Sequence, residues 1–178
     1  MRIRNYRQED LPTLIHIQEQ AALADSGESF SENDFVAWLA NPELDVYSNL
    51  LVITDDDDEL NTWGQAGTLE GIEGEIVGYT VVRVQQDQQG YHLLCQGTVE
   101  PQFRHQKAGR ALLICALNRA QILAAEFEFE AEAAGLPVYF EAFLPERDPA
   151  SPRLAARCEM LPTDERTDDG KRLYRREL

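Results

Sequence analysis

Apolar and polar residues alternate in some stretches of the chain and recur every three or four residues in others. These changes of period mark its elements. Arg2 to Tyr6 alternates and predicts a short first strand. From Gln8 to Leu23, Leu11, Leu14, Ile15 and Ile17 followed by Ala21 and Ala22 keep the spacing of an amphipathic helix, with Pro12 tolerated in its first turn. Ser31 is placed to cap a second helix whose apolar face is Phe35, Val36, Trp38 and Leu39, and Asn41-Pro42 ends it. Leu50 to Thr54 is a β-branched run and reads as a strand. Ile76 to Val84 and Tyr91 to Val99 are two more strands, joined as a hairpin by the polar segment Gln85 to Gly90.

From Lys107 to Glu132 the period lengthens. Leu112, Leu113, Ala116, Leu117, Ala120, Leu123, Ala124 and Phe127 fall at steps of three and four, and Gly135-Leu136-Pro137 stops this long helix. Val138 to Phe143 is the next strand. Asp148-Pro149 opens a short helix that runs to about Cys158, and Lys171 to Glu177 closes the chain as a strand. Three consecutive strands before a crossover helix imply an α/β (α+β) domain with a mixed sheet and helices on both faces. With no internal repeat and no linker, residues 1–178 read as one domain.

Charge adds a constraint that the pattern lacks. The 178 residues carry a net charge of -16, which argues against nucleic acid as a partner, because phosphates repel an acidic surface. No Lys or Arg lies between Arg7 and Arg83, while that stretch holds 17 Asp and Glu. An acidic surface serves solubility. It also makes a negative field that attracts a cationic substrate, and Glu28 and Glu32, in the connection before the second helix, are candidates to hold an ammonium group. The block Asp55 to Glu59 lacks the ligand spacing of a calcium loop and reads as a solvated turn, so no metal site is expected. No apolar run has spanning length, and the start lacks the apolar core of a signal peptide, so no membrane partner is expected. Cys95, Cys115 and Cys158 match neither a disulfide framework nor a zinc pattern. The expectation is a cytoplasmic protein, a monomer or homodimer, with reduced thiols.

The stretch Thr98-Val99-Glu100-Pro101-Gln102-Phe103-Arg104-His105-Gln106-Lys107-Ala108-Gly109-Arg110-Ala111-Leu112-Leu113 holds the most chemistry. A strand ends, a turn follows and a helix begins near Gly109. Free backbone N–H groups at such a helix N-terminus, with the helix dipole, make an anion site. Arg104, Lys107 and Arg110 add positive charge, and a diphosphate is a natural occupant.

The segment resembles the coenzyme A-binding motif of the GNAT N-acyltransferase superfamily, V-x-P-x-x-[R/Q]-x-x-G-x-[G/A]-x-x-L-L. Val99, Pro101, Arg104, Gly109, Leu112 and Leu113 match it, and Lys107 stands where the first motif glycine is usual. A positive φ at Lys107 would cost stability. The element order is also that of the superfamily, and the ending from Pro152 to Arg157 and the following strand has a looser similarity to mycothiol synthase-type domains. The resemblance implies a sheet of six or seven strands in which the strand before the motif splays from the strand after the long helix. It implies acetyl-CoA as cosubstrate, its diphosphate on Arg104, His105, Gln106, Lys107, Ala108, Gly109 and Arg110 and its pantetheine arm along Thr98 and Val99. It implies direct attack on the thioester by a small-molecule amine or basic peptide, with the N–H of Val99 facing the oxyanion.

At the catalytic positions the chain departs from the superfamily. Leu93, Cys95 and Gly97 are the expected cleft-facing residues of the motif strand, with His92 facing the other way. None of the three is a base. Ala155 stands where a tyrosine often protonates the thiolate, and Glu159-Met160 replaces the usual Gly-Phe. Glu141 remains as a candidate base, although a strand Glu is ordinarily exposed. Cys95 reads as a buried apolar residue, and Tyr139 and Tyr174 as packing residues. Two other readings stay open: a non-catalytic acyl-CoA sensor, and an interaction domain with a vestigial pocket.

Overall fold

The computed structural model describes residues 1–25, 31–41, 44–55 and 74–178, and in it the alternating stretches form one sheet. The strands are β1 (Arg2–Asn5), β2 (Leu50–Asp55), β3 (Glu75–Gln86), β4 (Tyr91–Val99), β5 (Val138–Pro145), β6 (Leu161–Arg166) and β7 (Lys171–Glu177). Helices α1 (Leu11–Asp25), α2 (Glu32–Leu39) and α3 (Val46–Asn49) lie between β1 and β2, α4 (Ala108–Ala134) between β4 and β5, and α5 (Ser151–Arg157) between β5 and β6. The strand order is β1-β2-β3-β4-β5-β7-β6. All neighbours are antiparallel except β4 and β5. A parallel pair needs a crossover rather than a hairpin, and α4 supplies it.

Each sheet face carries its own core. Leu14 and Ile17 of α1 and Phe35 and Leu39 of α2 pack on Leu50, Val52, Tyr79 and Val81. On the opposite face Leu113, Ala116, Leu117, Ala120 and Leu123 of α4 cover Val82, Leu93, Cys95, Phe140 and Ala142, joined by Ala155 of α5. Ala116 and Ala120 are fully buried, and their small side chains let α4 lie close to the sheet. A smaller cluster of Ile53, Val77, Ala108 and Leu112 fixes the first turn of α4. Each fully buried Leu or Val adds about 1.5–3 kcal/mol.

Most expected boundaries hold within two or three residues. Ser31 caps α2 by accepting the Asp34 N–H at 3.2 Å, and Gly135 ends α4 with φ of 64°. The short helix differs. It starts at Ser151, not at Asp148-Pro149, because the Asp148 carboxylate accepts the Ala150 N–H at 2.8 Å and closes a separate turn. Two elements were not expected. The single-turn α3 is capped by Asp45, which accepts the Ser48 N–H. Strand β6 is almost wholly exposed, so it lacks the apolar alternation that marks a strand, and its Pro162 and charges suit a sheet edge. Most of the acidic block and the glycine-rich stretch after it lie outside the described residues.

A buried ion pair ties the first strand to the turn before α1. Asp10 is 3% exposed and accepts Arg4 Nη1 and Nη2 at 2.7 and 2.8 Å and the Arg7 N–H at 2.8 Å. Burial by itself raises the Asp10 pKa, but the hydrogen bonds from Arg4 and Arg7 outweigh it and hold the carboxyl below its usual range. Asp10→Asn is expected to cost about 2–3 kcal/mol at neutral pH, read by urea unfolding. A depressed folded pKa gives stability that is present above the unfolded value, about 3.9, and lost as pH falls through the folded one. The gap between wild type and Asp10→Asn should therefore narrow as pH drops below about 4.

Candidate functional site

The parallel pair β4–β5 is in register from Tyr91↔Val138 to Cys95↔Ala142 and then stops. Strand β4 continues to Val99 and β5 to Pro145, so four residues of β4 run on without β5 beside them. Gly97 lies just past the last pair. A Cβ there would sit 2.4 Å from the Tyr79 carbonyl oxygen and 2.8 Å from the Thr80 Cα, so only glycine fits as β4 leans onto β3. Glu100 N–H donates to the Val77 carbonyl at 2.9 Å. Peptide groups alternate in direction along a strand, so the N–H groups of Val99 and Gly97 point the other way, into the space β5 has left.

The turn from β4 to α4 opens at the same end. None of the backbone N–H groups from His105 to Arg110 has an acceptor among the described residues. His105, Gln106, Lys107 and Arg110 are exposed, and their side chains do not fill the turn. A Cβ on Gly109 would meet only Val99 Cγ2, at 3.8 Å, so the protein leaves that spot open. His105 and Lys107 have φ of 62° and 76°, both in the left-handed region. Each costs about 1–2 kcal/mol in an L-residue. Their effect is to turn successive amides to one side, an arrangement that suits an anion.

Arg104 has a partner other than the expected diphosphate. Its Nη1 and Nη2 donate to the Asp25 carboxylate at 2.6 and 2.9 Å, and its Nε donates to the Val99 carbonyl at 3.2 Å. It clamps the end of α1 to the turn, and Lys107 and Arg110 are the turn's cations with no ion pair among the described residues. Thr98 pairs with Tyr79 and Val99 with Gly78; by the same alternation the backbone groups of Thr98 face β3 and those of Val99 face the opening.

A cavity of about 1030 Å³ lies on the face of α1 and α2, beyond those helices and away from the turn. Its floor is the outer part of the sheet. The residues opposite one another are Arg83, Leu94, Glu141 and Arg175, one from each of β3, β4, β5 and β7. Leu94↔Glu141 is the pair just before the strands part, so the cavity begins beside the opening. Glu141 is 5% exposed. Its Oε1 accepts Arg175 Nε at 2.5 Å and its Oε2 lies 3.1 Å from His92 Nδ1. His92 Nε2 lies 3.2 Å from Asp87 Oδ1, on the exposed hairpin. The Gln89 N–H, bound to Asp87 at 2.6 Å, and then His92 hold the Asp87 carboxyl below its usual range.

Two expectations need correction. Leu93 and Cys95 do share a face, but it is the face buried under α4, and His92 is on the cavity side. Burial pushes the Cys95 thiol up to about 11, which suits an inert core residue. Glu141 is not an exposed strand carboxylate, because the parallel register sets it between Arg175 and His92 under the cavity wall. Ala155 and Tyr174 are core residues, as are Phe35 and, in part, Trp38. Tyr139 lies beneath the Arg175 guanidinium, 4.7 Å from ring centroid to Cζ. Glu32 is exposed on α2 and does not line the cavity, and Glu28 lies outside the described residues. Sequence reasoning missed Arg83, Asp87 and Arg175. The one available signal was that Arg83 and Gln85 interrupt an apolar strand, in phase with Tyr79 and Val81.

No family model and no curated protein matches the chain. Solved structures do. The ribosomal-protein-S18-alanine N-acetyltransferase of Escherichia coli aligns over 99% of this chain and 92% of its own at 16% identity and a TM-score of 0.57. A GNAT superfamily phosphinothricin acetyltransferase from Sinorhizobium meliloti, in complex with AcCoA, aligns over 99% and 88% at 15% identity and a TM-score of 0.65. The ribosomal-protein-alanine N-acetyltransferase of Brucella melitensis aligns over 100% of both chains at 17% identity and a TM-score of 0.59. The fold is the GNAT fold. The seven-stranded mixed sheet, the crossover α4 and the parting of β4 from β5 are its expected features, and all are present.

In this GNAT turn the strain at Lys107 is open to direct measurement. Lys107→Gly removes the Cβ penalty of a left-handed residue and keeps the amide. It should stabilise the protein by about 1 kcal/mol and raise Tm by about 2–4 °C in a thermal melt. A lower Tm would show that the Lys side chain matters more than its backbone.

Proposed function

We propose that residues 1–178 are a single cytoplasmic acyltransferase domain that transfers an acetyl group from acetyl-CoA to an amine. The observation that carries this reading is the opening of β4 from β5 directly above a turn of unpartnered amides. Acetyl-CoA supplies an activated thioester. The amides of residues 105–110, with Lys107 and Arg110, suit its diphosphate, and the unpaired edge of β4 at Gly97 and Val99 suits the amides of its pantetheine arm. Gly109 leaves room for that approach. The Val99 N–H, turned into the opening, stabilises negative charge on the acyl oxygen.

An amine attacks only when neutral, so it must lose a proton. Glu141 is the base that the geometry favours, one pair from the opening and on the cavity floor. The ammonium first gives one proton to water; Glu141 accepts the second as nitrogen bonds to the acyl carbon and the carbon–sulfur bond breaks, the thiolate taking a proton from solvent. His92 bridges Glu141 to exposed Asp87, a path by which the proton reaches water. The acidic N-terminal half draws a cationic small molecule or basic peptide toward the cavity. No tyrosine stands on α5, where Ala155 is buried, and this favours as a second reading a sensor that binds acyl-CoA without turnover.

Acetyl-CoA should raise the Tm of the protein, and an amine panel should release free thiol. Glu141→Gln should lower kcat by about 10²–10⁴-fold, the range for a general base, with the acetyl-CoA-induced shift in Tm preserved. A Tm shift without thiol release on any amine would favour the sensor, and no Tm shift would overturn both readings.

A further inference from the structure

Among the described residues, Arg83 is the cavity arginine with no carboxylate partner. It lies half-buried on β3, its guanidinium 5.9 Å from the centroid of the Trp38 ring, and it forms no ion pair among the described residues. The other arginine of the floor, Arg175, is already neutralised by Glu141 and reaches Glu165 at 3.5 Å. Arg83 sits opposite Leu94, and Leu94 opposite Glu141. Neighbouring strands lie about 4.8 Å apart, so the Cα atoms of Arg83 and Glu141 are about 10 Å apart, with Leu94 between them. Their side chains project from the same face into the same cavity.

A half-buried guanidinium stacked on an aromatic ring, with its donors unspent, is a site for a planar anion that can accept two parallel hydrogen bonds. The guanidinium lies over the Trp38 ring, and Arg83 lines the cavity. At the other end of the row stands the carboxylate that takes the proton from the reacting amine.

We infer that the acceptor is a zwitterion, a small amine that carries its own carboxylate or similar oxyanion, with the anion on Arg83 and the amine beside Glu141. This rests on the acyltransferase reading and narrows its acceptor. The negative field of the N-terminal half draws the ammonium end. Arg83 then selects, among cations, those with an anionic group a few bonds away, and a polyamine would leave the guanidinium facing a like charge.

The test uses the full chain with glycine, β-alanine and 4-aminobutyrate, each beside its carboxamide, and spermidine as the cation without an anion. Thiol release from acetyl-CoA is measured for wild type, Arg83→Gln and Arg83→Lys. At least one carboxylate should exceed its carboxamide by about tenfold or more in kcat/KM, since a site built around a charged hydrogen-bond donor rejects the analogue that cannot pair with it. Arg83→Gln should abolish that preference through KM, with carboxamide rates within about twofold of wild type and the acetyl-CoA Tm shift intact; Arg83→Lys should restore part of it. Equal rates on carboxylates and carboxamides, faster spermidine, or equal losses on both members of a pair in Arg83→Gln would overturn the inference. Should acetyl-CoA fail to bind, or bind without turnover, the acyltransferase reading fails separately. Calorimetric titration with the same carboxylates then decides: binding lost in Arg83→Gln sustains the anion subsite, and no binding to wild type removes it.

Discussion

Two parallel strands that share hydrogen bonds for five residues and then part leave backbone polar groups with no partner among the described residues. Such groups are costly when dry and are almost always satisfied. Here the parting follows from steric facts. At Gly97 only a hydrogen fits against Tyr79 and Thr80, so β4 leans toward β3 at the point where β5 leaves it. The open edge, the turn above it and the cavity beside it all depend on that divergence. A ligand rich in amides and phosphates is the kind of molecule that satisfies both the edge and the turn.

The turn illustrates how a site stores strain. Two side-chain-bearing residues, His105 and Lys107, hold left-handed conformations within three positions. The surroundings enforce this. Ala108 and Leu112 are locked under Ile53 and Val77, and Arg104 is pinned at both ends by Asp25 and the Val99 carbonyl. With the helix start and the strand end both fixed, the connecting residues have few ways to close the gap. Arg104 is therefore a structural brace for the turn, and its link to Asp25 couples α1 to it.

The fold was largely legible because its helices and strands bury one face each. Periodicity found α1, α2, α4 and six of the seven strands, and the strand–turn–helix junction stood out by its Gly and its cations. What failed did so for physical reasons. Strand β6 is an edge strand with no buried face, so alternation has nothing to report. The strand phase separated His92 from Leu93 and Cys95 correctly, but phase alone does not say which side is covered; that is decided by where α4 packs, a tertiary fact. Glu141 looked like a surface residue because its partners, His92 and Arg175, are 49 and 34 residues away in sequence and meet only through the β4–β5–β7 register.

That register also explains why the cavity carries charge at all. Helices α1 and α2 cover β2 and the near part of β3, where the sheet face is Leu50, Val52, Tyr79 and Val81. One step further along β3 the same face turns to Arg83 and Gln85, and across it to His92, Glu141 and Arg175. An uncovered sheet face that served only solubility would scatter its charges and leave them in water. Here the carboxylate is nearly buried and doubly bonded, while one guanidinium stays unmatched on an aromatic ring. Burying Glu141 is costly unless its partners compensate, and they do. Arg83, in the same wall, has no carboxylate among the described residues, and the two together give the cavity a direction: a bonded, buried carboxylate beside the strand opening and a guanidinium on an aromatic ring on the far side.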